Sequence, residues 1–127
     1  HGKVAIALWD EKDKNDQRTI FDGMAATLPI ASKDETFALS KTGMLEELIE
    51  TAGLHVTGGD NVPLDFRFDD IDQFWRATRS SVNTQSMIIL VGEEMIQSAF
   101  KIAAKPFIQQ SGDVLLKNSF RYVTAKP

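Results

Sequence analysis

The chain is 127 residues long, 43% hydrophobic and 25% charged, the composition of one globular domain with a core of ordinary size. A net charge of −4 and a pI near 5.1, with no basic run longer than a pair, exclude a broad electrostatic grip on nucleic acid. Cysteine is absent, which removes disulfides, thiolate metal sites and cysteine nucleophiles together and fits a reducing compartment.

Val4 to Trp9 is an unbroken apolar run without polar alternation, the pattern of a strand buried on both faces inside a parallel sheet. Neither a methionine nor a helix precedes it, so His1 reads as a fragment boundary. No signal peptide and no stretch of roughly 18 apolar residues is present, so a cytoplasmic protein without a membrane partner is expected. The following "DEKDKNDQ" reads as a solvated loop. Asn15 or Asp16 then caps a helix carrying Ile20, Phe21, Met24 and Leu28 at helical spacing, ended by Pro29.

Leu45, Leu48, Ile49 and Ala52 form one apolar stripe, with Glu46, Glu47 and Glu50 on the other side. Gly53 stands where a left-handed residue closes such a helix, Leu54 supplies the accompanying contact, and Ser40 to Thr42 offers the N-cap. Val62, Leu64, Phe66 and Phe68 alternate with polar residues or proline, predicting a strand after a bend at Gly58–Gly59, with Pro63 favouring an edge. Asp69 or Asp70 caps a short helix with Ile71, Phe74, Trp75 and Thr78 on one side. A short apolar turn or helix follows, then a longer helix from about Gly92 to Gln109. Its inner stripe is expected at Met95, Ile96, Ala99, Ile102, Ala103 and Phe107, with a kink or last turn at Pro106. Val114 to Ala125 predicts a long closing strand, central and antiparallel.

Chemistry-bearing motifs are sparse. His1 and His55 are too far apart to suggest a metal pair, and there is no GxSxG and no P-loop. Gly58–Gly59 precedes a strand rather than joining a strand to a helix, so it cradles no phosphate. The acidic stretches Asp10 to Asp16 and Asp69 to Asp72 are explained as a solvated loop and a helix cap. The sharper reading of Asp10 is that it lies just past the carboxyl end of the first strand and faces a ligand crevice, as in open α/β sheets, with Trp9 beside it. Phe74, Trp75 and Met87, with Met95 nearby, either line an apolar pocket or simply pack helices.

Four stretches in order resemble one family. "GKVAIALWD" looks like the fifth strand of a class I S-adenosylmethionine-dependent methyltransferase, and "LSKTGMLEELIETAGL" is similar to the helix after it. "VPLDFRFDDIDQFWRA" resembles the sixth strand and a short insertion helix, and "VLLKNSFRYVTAKP" resembles the seventh strand. The resemblance covers nearly the whole chain. It implies a partial Rossmann-like α/β fold with a three-stranded mixed sheet in the order first-last-middle. It also implies that residues 1–127 are the carboxyl-terminal portion of one domain, with residues 69–109 a helical insertion serving as a substrate cap.

S-adenosylmethionine would be the cofactor of the full-length protein and would not bind this part, which lacks the family's glycine-rich loop and acidic partner. Trp9, Asp10, Phe74, Trp75 and Met87 would contact a small-molecule methyl acceptor, no catalytic base is assigned, and this part alone would be inactive. The first strand would lack its usual neighbour, predicting a homodimer through Lys3 to Trp9. The alternative is a self-contained α+β module that binds a small apolar ligand or drives oligomerisation.

Overall fold

A computed structural model describes residues 2–31 and 35–127; His1, named above as a boundary, lies outside them. Two compact units are present. The first comprises the described residues of His1–Asn15, Asp34–Leu64 and Lys117–Pro127, and the second those of Asp16–Lys33 and Asp65–Leu116. The second unit thus contains the whole of the expected insertion, together with the helix after the first loop.

In the first unit, β1 (Val4–Trp9), β2 (His55–Pro63) and β5 (Ser119–Lys126) form a sheet of order β1-β5-β2. The order first-last-middle is as expected, but both pairings are antiparallel, so the sheet is antiparallel rather than mixed. The reason is topological: β1 and β2 run the same way, and β5, running against both, separates them. Val4 faces Ala125 and Trp9 faces Phe120 in register. A bulge at Thr57 shifts the β2 register between Val56 and Gly58, near the bend expected there.

Helix α2 (Met44–Thr51) covers one face of this sheet through Leu45 and Ile49, packed with Val123 and Ala125 and flanked by Ile6, Leu8 and Val56. Its C-terminus closes as expected. Gly53 has φ 80°, its N–H reaches Glu50 O, and the Leu54 N–H reaches Ile49 O, so the last carbonyls are satisfied. Its start differs. Gly43, at φ 84°, is the N-cap residue and no side chain caps the helix, because the Ser40 hydroxyl is spent on Trp9 O. Leu48 and Ala52 are exposed, which narrows the core stripe to two positions.

β1 is the strand the sequence predicts, yet none of its apolar residues is buried. Its outer edge pairs with nothing among the described residues, and Ala5 and Ala7 lie open on the face opposite α2.

The second unit is helical: α1 (Asp16–Ala25), α3 (Ile71–Arg79), α4 (Val82–Val91) and α5 (Glu93–Ala104), with a small ribbon of β3 (Phe66–Phe68) and β4 (Val114–Leu116). The two long strands read from the sequence therefore each break in two. The Phe66–Phe68 and Val114–Leu116 segments pair with each other as a two-stranded sheet of their own. The Asp70 carboxylate caps α3 by accepting the Gln73 N–H at 2.6 Å, as expected. The α5 stripe is corrected by one step: Ile96, Phe100 and Ala104 are buried, whereas Met95 and Ile102 are 51% and 76% exposed. Phe100 decides this, because its ring packs edge-on to Phe74 at 4.9 Å and against Trp75 at 5.0 Å. α5 ends before Pro106, which sits in a separate turn of 3₁₀ helix, Lys105–Phe107. Gly23 of α1 approaches α5 so closely that a Cβ there would lie 2.7 Å from the Ala103 Cβ.

Candidate site at the carboxyl end of the first strand

Antiparallel pairing brings the start of β5 beside the end of β1, and the two are locked there by short polar side chains. Backbone continues the ladder one step beyond β1, with Asp10 N–H donating to Ser119 O at 2.9 Å. The Asp10 side chain is 3% exposed. Its Oδ1 accepts the Glu11 N–H at 2.7 Å, its Oδ2 accepts the Ser119 hydroxyl at 2.8 Å, and Lys14 Nζ lies 3.5 Å from both oxygens. Asn15 completes the lock by donating to Asp10 O and Glu11 O while accepting the Ser119 N–H at 3.0 Å. Its carboxamide, expected as a helix cap, is thus committed to the sheet. The loop reading of Asp10 is corrected too: the carboxylate is buried and multiply bonded, not solvated.

Burial, the largest influence on Asp10, pushes its pKa up. The Glu11 N–H, the Ser119 hydroxyl and Lys14 together outweigh it and hold the carboxyl below its ordinary 3.8. A group whose pKa is lowered by folding contributes stability above its unfolded pKa and loses it as the pH falls through the folded value. Asp10→Asn should therefore flatten the acid limb of the stability profile below about pH 5. Urea midpoints measured across that range, wild type against variant, check it. Parallel curves mean that Asp10 contributes nothing specific.

Trp9 precedes this lock. Its ring stacks on Phe120 at 4.3 Å with 27° between planes, and Phe37 lies 6.4 Å away. All three rings are half-buried. The arrangement can present a fixed aromatic surface. The Asp10 carboxylate is occupied by its own donors within the fold.

The other predicted contacts lie in the second unit. Phe74 and Trp75 are 1% and 7% exposed and belong to its core, stacked among Phe68 and Phe100, and Met87 is half-buried against the same cluster. Sequence reasoning missed Ser119, Phe120, Asn15 and Phe37 as members of the β1 end. The available signal was the first-last strand pairing: ends that meet antiparallel put Phe120 opposite Trp9. Among the described residues, no cluster of His, Cys, Asp or Glu is suited to a metal ion, and no helix is long and apolar enough to cross a membrane. In comparisons with known proteins, no family model and no curated protein matches the chain.

Proposed function

We propose that the chain is the carboxyl-terminal part of a class I S-adenosylmethionine-dependent methyltransferase with a Rossmann-like fold, carrying elements on the acceptor side. One observation supports this above the rest: the outer edge of an uninterrupted apolar strand, β1, pairs with nothing among the described residues, while the last strand is inserted antiparallel between it and β2. That is the arrangement in which the family's fifth, seventh and sixth strands lie. The resemblance of the four sequence stretches supports the same order.

The residues present do not fit the donor. The glycine pair sits inside β2, where a Cβ on Gly59 would meet Tyr122 O at 2.5 Å, so these glycines serve strand packing rather than a phosphate or nucleotide loop. The donor is held by other parts of the full-length protein. Trp9, positioned by the Asp10–Ser119–Asn15 lock, borders the place where a small-molecule acceptor sits, whereas Phe74, Trp75 and Met87 pack the core of the helical unit. The contribution of Trp9 is orientation of the acceptor.

Calorimetry tests this. S-adenosylmethionine should bind the full-length polypeptide containing these residues and leave residues 1–127 without appreciable heat. Absence of binding by the full-length polypeptide overturns the assignment. The bare edge has its own consequence: residues 1–127 should dimerise through Lys3 to Trp9 as concentration rises, and Ala7→Lys should suppress it. Light scattering that finds a clean monomer at high concentration contradicts the dimer.

A further inference from the structure

We infer that the two long strands carry a hinge, at Leu64–Asp65 and Lys117–Asn118, about which the helical unit swings as one body. β2 continues into β3 and β4 into β5, and the two ladders keep a single register. Pro63 faces Ser119 and, three residues on, Phe66 faces Leu116. The antiparallel ribbon thus runs through without a slip, yet it opens at one level, because Leu64–Asp65 and the opposed Lys117–Asn118 belong to neither ladder. A bulge would have shifted the register; a matched interruption on both strands leaves it intact.

The division into units falls at this same level. The chain passes from the first unit to the second between Leu64 and Asp65 and returns between Leu116 and Lys117. A third passage, from Asn15 to Asp16, leaves from the same spot, since Asn15 Oδ1 accepts the Ser119 N–H at 3.0 Å. The fourth lies outside the described residues. Each of these three falls at the end of an element or between elements, where hinges absorb their change in dihedral angles.

The joint is soft on one side and anchored on the other. Leu64, Asp65 and Lys117 are exposed, so backbone groups released by bending pass to water at little cost. The root is held: the Leu64 N–H donates to Asn118 O at 2.9 Å, Asn118 is buried, and the Ser119 hydroxyl and N–H are bonded to Asp10 and Asn15. Each unit also has a core of its own, with Leu45, Ile49 and Val123 in one and Phe74, Ile96 and Phe100 in the other, so swinging breaks neither. The hinge stands independently of the methyltransferase assignment; under it, the swinging body carries the expected cap.

Residual dipolar couplings of the 127-residue chain test this, in an Ala7→Lys background that keeps β1 edges apart. The couplings of each unit should fit one alignment tensor, and the two tensors should differ in magnitude, as they do when one body moves against another. A bridge then locates the joint. Asp65→Cys with Lys117→Cys, opposed by the register in a chain that has no other cysteine, should bring the magnitudes together when oxidised and let them part on reduction. Equal magnitudes in the unbridged chain overturn the inference, because the two units are then one rigid body. So do unequal magnitudes that survive oxidation, which put the joint elsewhere, and thiols that never bridge, which mean that the strands do not face each other there.

Discussion

Replacing Phe100 by alanine is expected to destabilise the helical unit by about 3–5 kcal/mol, the range for truncating a fully buried aromatic. The ring is 0% exposed and stands between Phe74 and Trp75, so its removal takes away area burial and both aromatic contacts at once. The neighbours are held by three separate helices and the β3–β4 ribbon, which limits how far the gap can close. Met95→Ala and Ile102→Ala, at exposed positions of the same helix, should each change stability by no more than about 0.5 kcal/mol. Thermal unfolding followed by helical circular dichroism separates these outcomes. A Phe100 variant that melts with the wild type contradicts the core as described.

The second large effect is expected at Gly59. A Cβ added there would lie 2.5 Å from Tyr122 O and 3.3 Å from Val123 Cα, both backbone atoms of the central strand, which cannot move aside without breaking the β2–β5 ladder. Gly59→Val should cost about 3 kcal/mol or more, at the upper end for overpacking, and loosen the pairing of β2. Gly58 is the internal control. Its added Cβ meets only Thr124 Oγ1 at 3.5 Å, an ordinary contact, so Gly58→Ala should be neutral or stabilise by roughly 0.5 kcal/mol through the unfolded chain. Denaturant midpoints of the two variants should therefore move in different directions or by clearly different amounts. Equal losses contradict the close approach of the strands.

Both positions mark how far the sequence could be read. The amphipathic pattern placed Leu45 and Ile49 inward, together with Leu48 and Ala52, which are exposed, and Asp69 or Asp70 at a helix start, because capping and helical spacing are local properties. Phe100 was passed over because α5 is apolar on more than one side, and spacing alone does not rank competing faces. Only the rings of Phe74 and Trp75, brought from another helix, select the face that is buried. The split of each long strand was hidden for a similar reason. Alternation runs on through Leu64 and Lys117, while the change of partner is set by tertiary pairing.

At the candidate site, Trp9 and Asp10 were legible from their place at a strand end. The residues that fix them were not: Ser40, Asn15 and Ser119 are short polar side chains that also suit caps and turns, and only the fold chooses between these uses.

β1 is proposed to be an interior strand of a larger sheet, its outer neighbour supplied by the donor-binding half of the same protein. Hydrogen exchange measured at the alternate amides of Val4–Trp9 that point away from β5 reads this directly, in dilute solution where residues 1–127 are monomeric. Those amides should exchange rapidly in residues 1–127 alone and be strongly protected in the full-length polypeptide. Equal rates in the two would mean that no strand ever covers that edge.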